Sequence, residues 1–375
     1  MLRDNLIYKT YYSWWKNINK TVLVVIVILF GFGLFFSLVS TSLIASDKLN
    51  TNSYYFFIKH FLFILIGVFF IIFFSSLKHE DLIKVSRLLF ILFLFLLILV
   101  PLIGIEVRGS KRWIELPLLP RFQPIELLKP FLIVILASVL SYENSKNIYY
   151  KFFLSFLILI PVTLLLITQP DVGQTLLTFL TWLSLIFVSG INLIFFFVFF
   201  ILLSVLLMGA IYFFSNKFGY ILNRLQAFFD PTSGNNYQSE KASEAIISGG
   251  FLGKGIGEGT LKSRVPEAHT DYIVSVISEE FGVLFIIVLM IIFLFFVYQV
   301  FKKLYSEENN QIKLILVGSI SIILLQTLIH IGVNIRLFPT TGMTLPFISY
   351  GGSSIISTSI LSGIILNLTK RRVDY

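Results

Sequence analysis

Apolar runs of about 18 residues or more recur from one end of this chain to the other, and each is long enough to cross the hydrocarbon core of a bilayer. No other feature constrains the fold as tightly. Backbone in hydrocarbon has to satisfy its own hydrogen bonds, so runs of this length fold as helices. Composition agrees. The chain is 57% hydrophobic and only 13% charged, with mean hydropathy +0.90, whereas soluble domains carry about 25% charged residues. The reading is an all-α polytopic membrane protein, one transmembrane domain over residues 1–375.

Helix-stopping residues divide the apolar runs into about ten spans: 21–45, 55–77, 85–105, 124–142, 150–168, 171–190, 192–215, 271–301, 311–336 and 350–369. The first run is too long for the apolar region of a cleavable signal peptide. Both termini then lie on one side. That side carries 15 Lys and Arg and the other carries 14, but 11 of those 14 sit in two unusual loops, 106–129 and 216–270. With these set aside, the bias places residues 1–20 and 370–375 in the cytoplasm. The two loops face outward, the second as one large extracytoplasmic loop between helices 7 and 8. Their basic residues run against the topological bias and need another reason to be there.

Several function classes drop out. There are no cysteines, hence no disulfides or thiolate chemistry. The four histidines, His60, His79, His269 and His330, lack zinc-site spacing. A net charge of +9 suits anionic lipid surfaces rather than nucleic acid. The 41 Phe are read as core and lipid-facing packing.

The chemistry-bearing residues gather in the outward segments. In the first loop, Arg112-Trp113 precedes Gln123-Pro124-Ile125-Glu126-Leu127-Leu128-Lys129. Pro124 suits a first helical turn, where the dipole favours Glu126. Lys129, three residues on, shares its face. A structural ion pair and a polar cavity wall both fit that spacing, and Arg112 fits an interfacial anchor equally well. Asp171, in Gln169-Pro170-Asp171-Val172-Gly173-Gln174, reads as a helix N-cap or as a carboxylate beside the same cavity. The large loop ends in the glycine-rich run 249–259 around Lys254. It is either a re-entrant loop or a set of backbone amides that cradle pyrophosphate. Pro266-Glu267-Ala268-His269-Thr270-Asp271 then returns the chain to the membrane, with Asp271 a cap or a functional carboxylate and His269 placed to orient it. Arg336 adds an outward cation before a Pro- and Gly-rich turn, and Gly351-Gly352 lets helices approach closely.

These motifs, in this order, resemble the SEDS family of cell-wall proteins (FtsW, RodA, SpoVE). The resemblance rests on RGSKRWI, QPIELLK, QPDVGQ, AIISGGFLGKGIGEG, PEAHTDYIVSVISEEFG and NIRLFPTTGMTLPFISYGGSS, and the division-specific FtsW branch fits best. Ile125, where the family usually has Ser, and Thr341, where that branch often has Lys, depart from the pattern. The resemblance implies a ten-helix peptidoglycan glycosyltransferase in the bacterial cytoplasmic (inner) membrane, at the division septum, with its active site on the periplasmic side. It implies polymerisation of lipid II onto an undecaprenyl-pyrophosphate-linked glycan. The implied protein partners are a class B penicillin-binding protein and other divisome membrane proteins. The family's essential aspartate falls on Asp271, its Glu and Lys on Glu126 and Lys129, its loop arginine on Arg112 and its second acid on Asp171. The expected chemistry is one inverting displacement with Asp271 as general base. Lys129, Arg112, Arg336 and Lys254 are the expected cations for the leaving pyrophosphate, and acids beside pyrophosphate admit Mg²⁺ or Mn²⁺. A lipid II flippase and a non-catalytic divisome scaffold are the competing readings, and a RodA-type elongation polymerase is the alternative branch of the family.

Overall fold

The computed structural model describes residues 12–41, 54–107, 110–117, 120–142, 147–213, 215–230 and 237–370. Readings on 1–11, on Arg108 and Gly109, and on the tail 371–375 lie outside the described residues. Each expected span has a helix: α1 Lys20–Thr41, α2 Tyr55–Ser76, α3 His79–Ile103, α4 Pro124–Leu140, α5 Ile148–Thr168, α6 Val172–Val188 and α7 Leu193–Phe213. Two helices of the large loop follow, α8 Ser215–Phe229 and α9 Tyr237–Gly249, and then the last three spans, α10 Ile273–Ser306, α11 Asn310–Asn334 and α12 Gly352–Leu368. Among the described residues six of these are long and apolar enough to cross a membrane unaided by tilt or partners, and α6, the first part of α7 and α12 are shorter apolar helices. The chain is a multi-pass membrane protein.

The helices sort by burial. α11, α12 and α4 form the interior, where most residues are buried, while α2 and α3 turn rows of Phe, Leu and Ile outward. α12 packs closely on α2 because small residues face one another. A Cβ on Gly67 would lie 2.3 Å from Ser359 Oγ, and one on Gly352 would lie 2.4 Å from the Phe63 ring. In lipid, where apolar burial drives little association, such close approach is what holds helices together.

Two features differ from the sequence reading. Residues 105–107 and 110–113, expected as a span end and loop, pair as antiparallel strands, β1 Ile105–Val107 and β2 Ser110–Trp113. And α10 is not continuous. Gly282 has φ +80° and kinks the helix, so the amides of Val283 and Leu284 lose their intrahelical acceptors. The glycine-rich loop supplies replacements: Val283 N donates to Gly250 O at 3.0 Å and Leu284 N to Phe251 O at 3.3 Å. In return, Lys254 N and Gly255 N donate to the carbonyls of Glu279 and Glu280 at 2.9 and 3.0 Å. The loop therefore repairs a broken helix, a use of its amides that the reading as a pyrophosphate cradle missed.

This contact predicts unequal costs for two glycines. Gly282→Ala would place a Cβ 2.1 Å from Phe251 O at φ +80°, whereas Gly250→Ala meets nothing within 4 Å at φ +59°. Thermal unfolding in detergent should show Gly250→Ala costing about 1 kcal/mol, the strain of a left-handed residue, and Gly282→Ala costing about twice that or more.

Candidate active site

At the end of the bundle where α4, α6, α10 and α12 begin, these elements enclose a cleft of about 1030 Å³. Its wall includes Arg112 from β2, Gln123 and Glu126 from the start of α4, Asp171 and Gln174 from the start of α6, Arg224 from α8, Asp271 and Tyr272 before α10, and segments 340–344 and 350–354. Residues far apart in sequence meet here because helices α4, α6, α10 and α12 all begin at this end of the bundle.

Arg112 is drawn inward by a turn. Its Nε donates to Gln169 O at 3.0 Å, one Nη donates to Pro170 O, and the other lies 3.7 Å from Asp171 Oδ1. A guanidinium suits this task because its planar fork can serve carbonyls and a carboxylate at once. Asp171 fulfils both of its sequence readings. It caps α6 by accepting from Gln174 N at 3.3 Å, and it stands on the cleft wall, where Gln123 Nε2 donates to its other oxygen at 2.6 Å. Burial pushes the Asp171 carboxyl above the usual carboxylate range, while the Arg112 guanidinium pulls it back.

Glu126 and Lys129 form an ion pair at 2.9 Å with both side chains buried. Gln174 Nε2 donates to Glu126, and Lys129 Nζ donates to Gln326 Oε1 at 3.1 Å. The path continues from Gln326 Nε2 to Thr344 O at 2.9 Å and from Thr344 Oγ1 to Ser354 Oγ at 2.6 Å. One polar chain thus ties α4, α6, α11 and α12 together beneath the cleft.

Asp271 sits on the cleft wall after a tight turn in which Glu267 O accepts from Thr270 N, Asp271 N and Tyr272 N. Pro266 immediately precedes that turn, and Glu267 itself has φ +55°. Buried Asn334 clamps the turn from α11. It donates to Asp271 O at 3.0 Å and accepts from Ser275 N at 3.2 Å. The Asp271 carboxylate lies beside Gly342, where a Cβ would stand 3.6 Å from Oδ2, an ordinary van der Waals contact. The Tyr272 hydroxyl is buried without a hydrogen-bond partner among the described residues. Burial, and next the Asp271 charge, raise its pKa.

The remaining expected site residues fall elsewhere. His269 is not itself on the wall but packs its ring against Phe56 and Tyr350, which are, with centroids 4.7 and 5.8 Å away. Burial pushes the Tyr350 phenol up to about 12. Gly351 and Gly352 line the cleft. Lys254 and Arg336 do not. Lys254 Nζ lies 3.9 Å from Glu279 Oε1 at the α10 kink, and Arg336 occupies the left-handed turn that ends α11, at φ +59°. Both were selected for facing outward, and facing outward does not decide which wall a side chain joins. Arg224 is the cation they displace. It lines the cleft, donates to Thr340 O at 3.3 Å, and has its pKa lowered by burial and then by nearby Arg112. Sequence reasoning also passed over Gln123, Gln174, Gln326 and Asn334. Their signal was an amide side chain in an apolar helix, which needs a partner when buried. Among the described residues no three His, Asp or Glu cluster as a metal cage would require, so a divalent cation would need phosphate oxygens for most of its ligands.

A helical membrane bundle with a polar cleft at one end, walled by carboxylates and guanidiniums, has the form of a membrane-embedded enzyme. The chain belongs to the FtsW/RodA/SpoVE family, whose model, described as "Cell cycle protein", matches residues 20–373. It is 30% identical over 361 residues to a Caulobacter vibrioides protein named "Probable peptidoglycan glycosyltransferase FtsW", covering 96% of this chain and 91% of the relative. A Nitrosomonas europaea protein of the same name is 36% identical over 279 residues, 72% of this chain and 71% of the relative. Among solved structures, a chain from a peptidoglycan synthase complex that coordinates polymerization and crosslinking superposes with TM-score 0.78 at 24% identity, covering 94% of this chain and 97% of that one. The rod shape determining protein RodA of Thermus thermophilus superposes at 0.68 and 23%, covering 94% and 96%. These two establish the shared fold.

Removing one member of the buried pair should cost more than removing both. Lys129→Met leaves a buried carboxylate uncompensated and should destabilise by about 3–5 kcal/mol, whereas Lys129→Met with Glu126→Gln should recover most of that loss. Unfolding midpoints of the two variants in detergent check this.

Proposed function

We propose that this chain is a peptidoglycan glycosyltransferase that polymerises lipid II into glycan strands at the division septum. The observation that carries this reading is the placement of Asp271, Asp171–Arg112 and Arg224 around one cleft. The family and the FtsW relatives support it. In this reading the donor is a glycan strand on undecaprenyl pyrophosphate, and the acceptor is the GlcNAc 4-hydroxyl of lipid II. Donor α-linkage and a β-1,4 product require inversion in one displacement. The oxygen–anomeric carbon bond forms as the carbon–phosphate oxygen bond breaks, and the hydroxyl proton passes to a base. Asp271 is that base, since a sugar hydroxyl needs a general base within hydrogen-bond reach. Arg112 and Arg224 face the charge that develops on the departing pyrophosphate, pre-positioned so that little reorganisation is needed. Lys129, already bound to Glu126 and Gln326, shapes the floor rather than meeting substrate. Holding two lipid-anchored reactants in one cleft supplies orientation. The cleft faces the periplasm, and a class B penicillin-binding protein crosslinks the product.

Incubation of the reconstituted protein and its cognate class B penicillin-binding protein with purified lipid II should produce glycan polymer. Movement of labelled lipid II between leaflets without polymer would point to a lipid carrier instead. In the same assay Arg224→Ala should reduce polymerisation by about 100-fold or more, the usual scale for one electrostatic contact to developing charge. Lys254→Ala and Arg336→Ala should stay within a few-fold of wild type, because neither lines the cleft.

A further inference from the structure

α9 and the glycine-rich loop form a descending and returning hairpin. α9 packs on the start of α10 through Ser239, Ala242, Ala245 and Gly249, its buried face. A Cβ on Gly249 would lie 2.0 Å from Ser278 O, so the helix ends against the backbone just above the kink. The chain reverses there and climbs back to Asp271. Two rulers give the depth of this reversal. Lys302 and Lys303 mark where α10 leaves hydrocarbon on the side of the chain termini. Twenty residues back from Lys302 is Gly282, a rise of about 30 Å along the helix, which sets the kink no higher than the far edge of a hydrocarbon core. Tilt would only bury the kink deeper. Independently, Phe281 packs on Phe35 and Phe36 of α1 at 5.7 and 5.5 Å between ring centroids. Phe36 is sixteen residues above Lys20, a rise of about 24 Å, inside the core.

We propose that residues 247–256 are re-entrant and seat their tip among the acyl chains of the leaflet on the Asp271 side. Phe251 and Leu252 are 76% and 79% exposed, and Ile247 and Ile256 flank them, also exposed. This patch runs on into the exposed α10 residues Leu284 and Ile287. Much of the surrounding backbone is paired, as hydrocarbon demands: Gly253 N donates to Gly249 O at 2.9 Å, and the exchanged bonds with residues 279–284 take up the amides of Lys254 and Gly255 and the carbonyls of Gly250 and Phe251. Lipid anchoring of the tip fixes the height of the kink, and through the returning segment the height of Asp271 above the membrane.

The cysteine-free chain allows single nitroxide labels without background. Leu252→Cys, Ile287→Cys and Glu258→Cys, all at exposed positions, would be labelled in the full chain in phospholipid vesicles. Each would be probed with oxygen and with a polar nickel chelate. The ratio of oxygen to nickel collisions at Leu252 should match that at Ile287 and exceed that at Glu258 by about tenfold, since a polar collider is excluded from hydrocarbon. A ratio equal to that at Glu258 overturns the proposal. So does an immobilised label shielded from both colliders, which would mean that protein covers the tip.

Discussion

A lysine ammonium held inside an apolar bundle sets the terms for the rest of this structure. Lys129 is 1% exposed, and an unpaired charge there would be costly enough to unfold the region. Its burial therefore requires Glu126 one turn earlier, Gln326 across on α11, and the groups that these in turn engage. Gln174 must reach Glu126, and Gln326 must hold Thr344. Satisfying one charge in this way draws α4, α6, α11 and the segment before α12 into one register. The cleft sits on top of that register. Its acids are placed by the same demand for partners: Asp171 by Arg112 and Gln123, and the Asp271 turn by Asn334.

Much of this was readable from the chain. Span positions follow from apolar run length and from the residues that interrupt helices, and each expected span has a helix within a few residues. Glu126, Asp171, Arg112 and Asp271, which line the cleft, stood out because charge beside hydrocarbon is rarely without purpose. What escaped has physical causes too. Strands of three and four residues, Ile105–Val107 and Ser110–Trp113, are too short to show alternation. Gly282 lies in Glu279-Glu280-Phe281-Gly282-Val283-Leu284, which reads as unbroken helix, and only the partner loop reveals the kink. The amides Gln174, Gln326 and Asn334 carry no charge to draw attention, yet they make the contacts that organise the site. Lys254 and Arg336 show the opposite error, conspicuous cations that do not line the cleft.

The kink gives the glycine-rich loop a structural purpose. Glu279 and Glu280 are buried beside it, and their carboxylates accept from Leu261 N and Gly257 N at 2.8 and 3.1 Å. The helix that starts just after Asp271 and the loop that leads into Asp271 thus close on each other through backbone and side chain together. An aspartate at such a junction is held from both sides, as a base that must meet a hydroxyl at hydrogen-bond distance requires.

The central claim is that Asp271 carries the chemistry and not merely the fold. The most direct measurement compares wild type with Asp271→Asn, each in complex with its cognate class B penicillin-binding protein. It follows glycan synthesis from lipid II alongside the unfolding midpoint of the complex. The account predicts an Asn variant that assembles and melts like wild type and makes no polymer. Polymer made at wild-type rate by the folded variant would contradict it, because an uncharged amide in the same place cannot take the acceptor's proton.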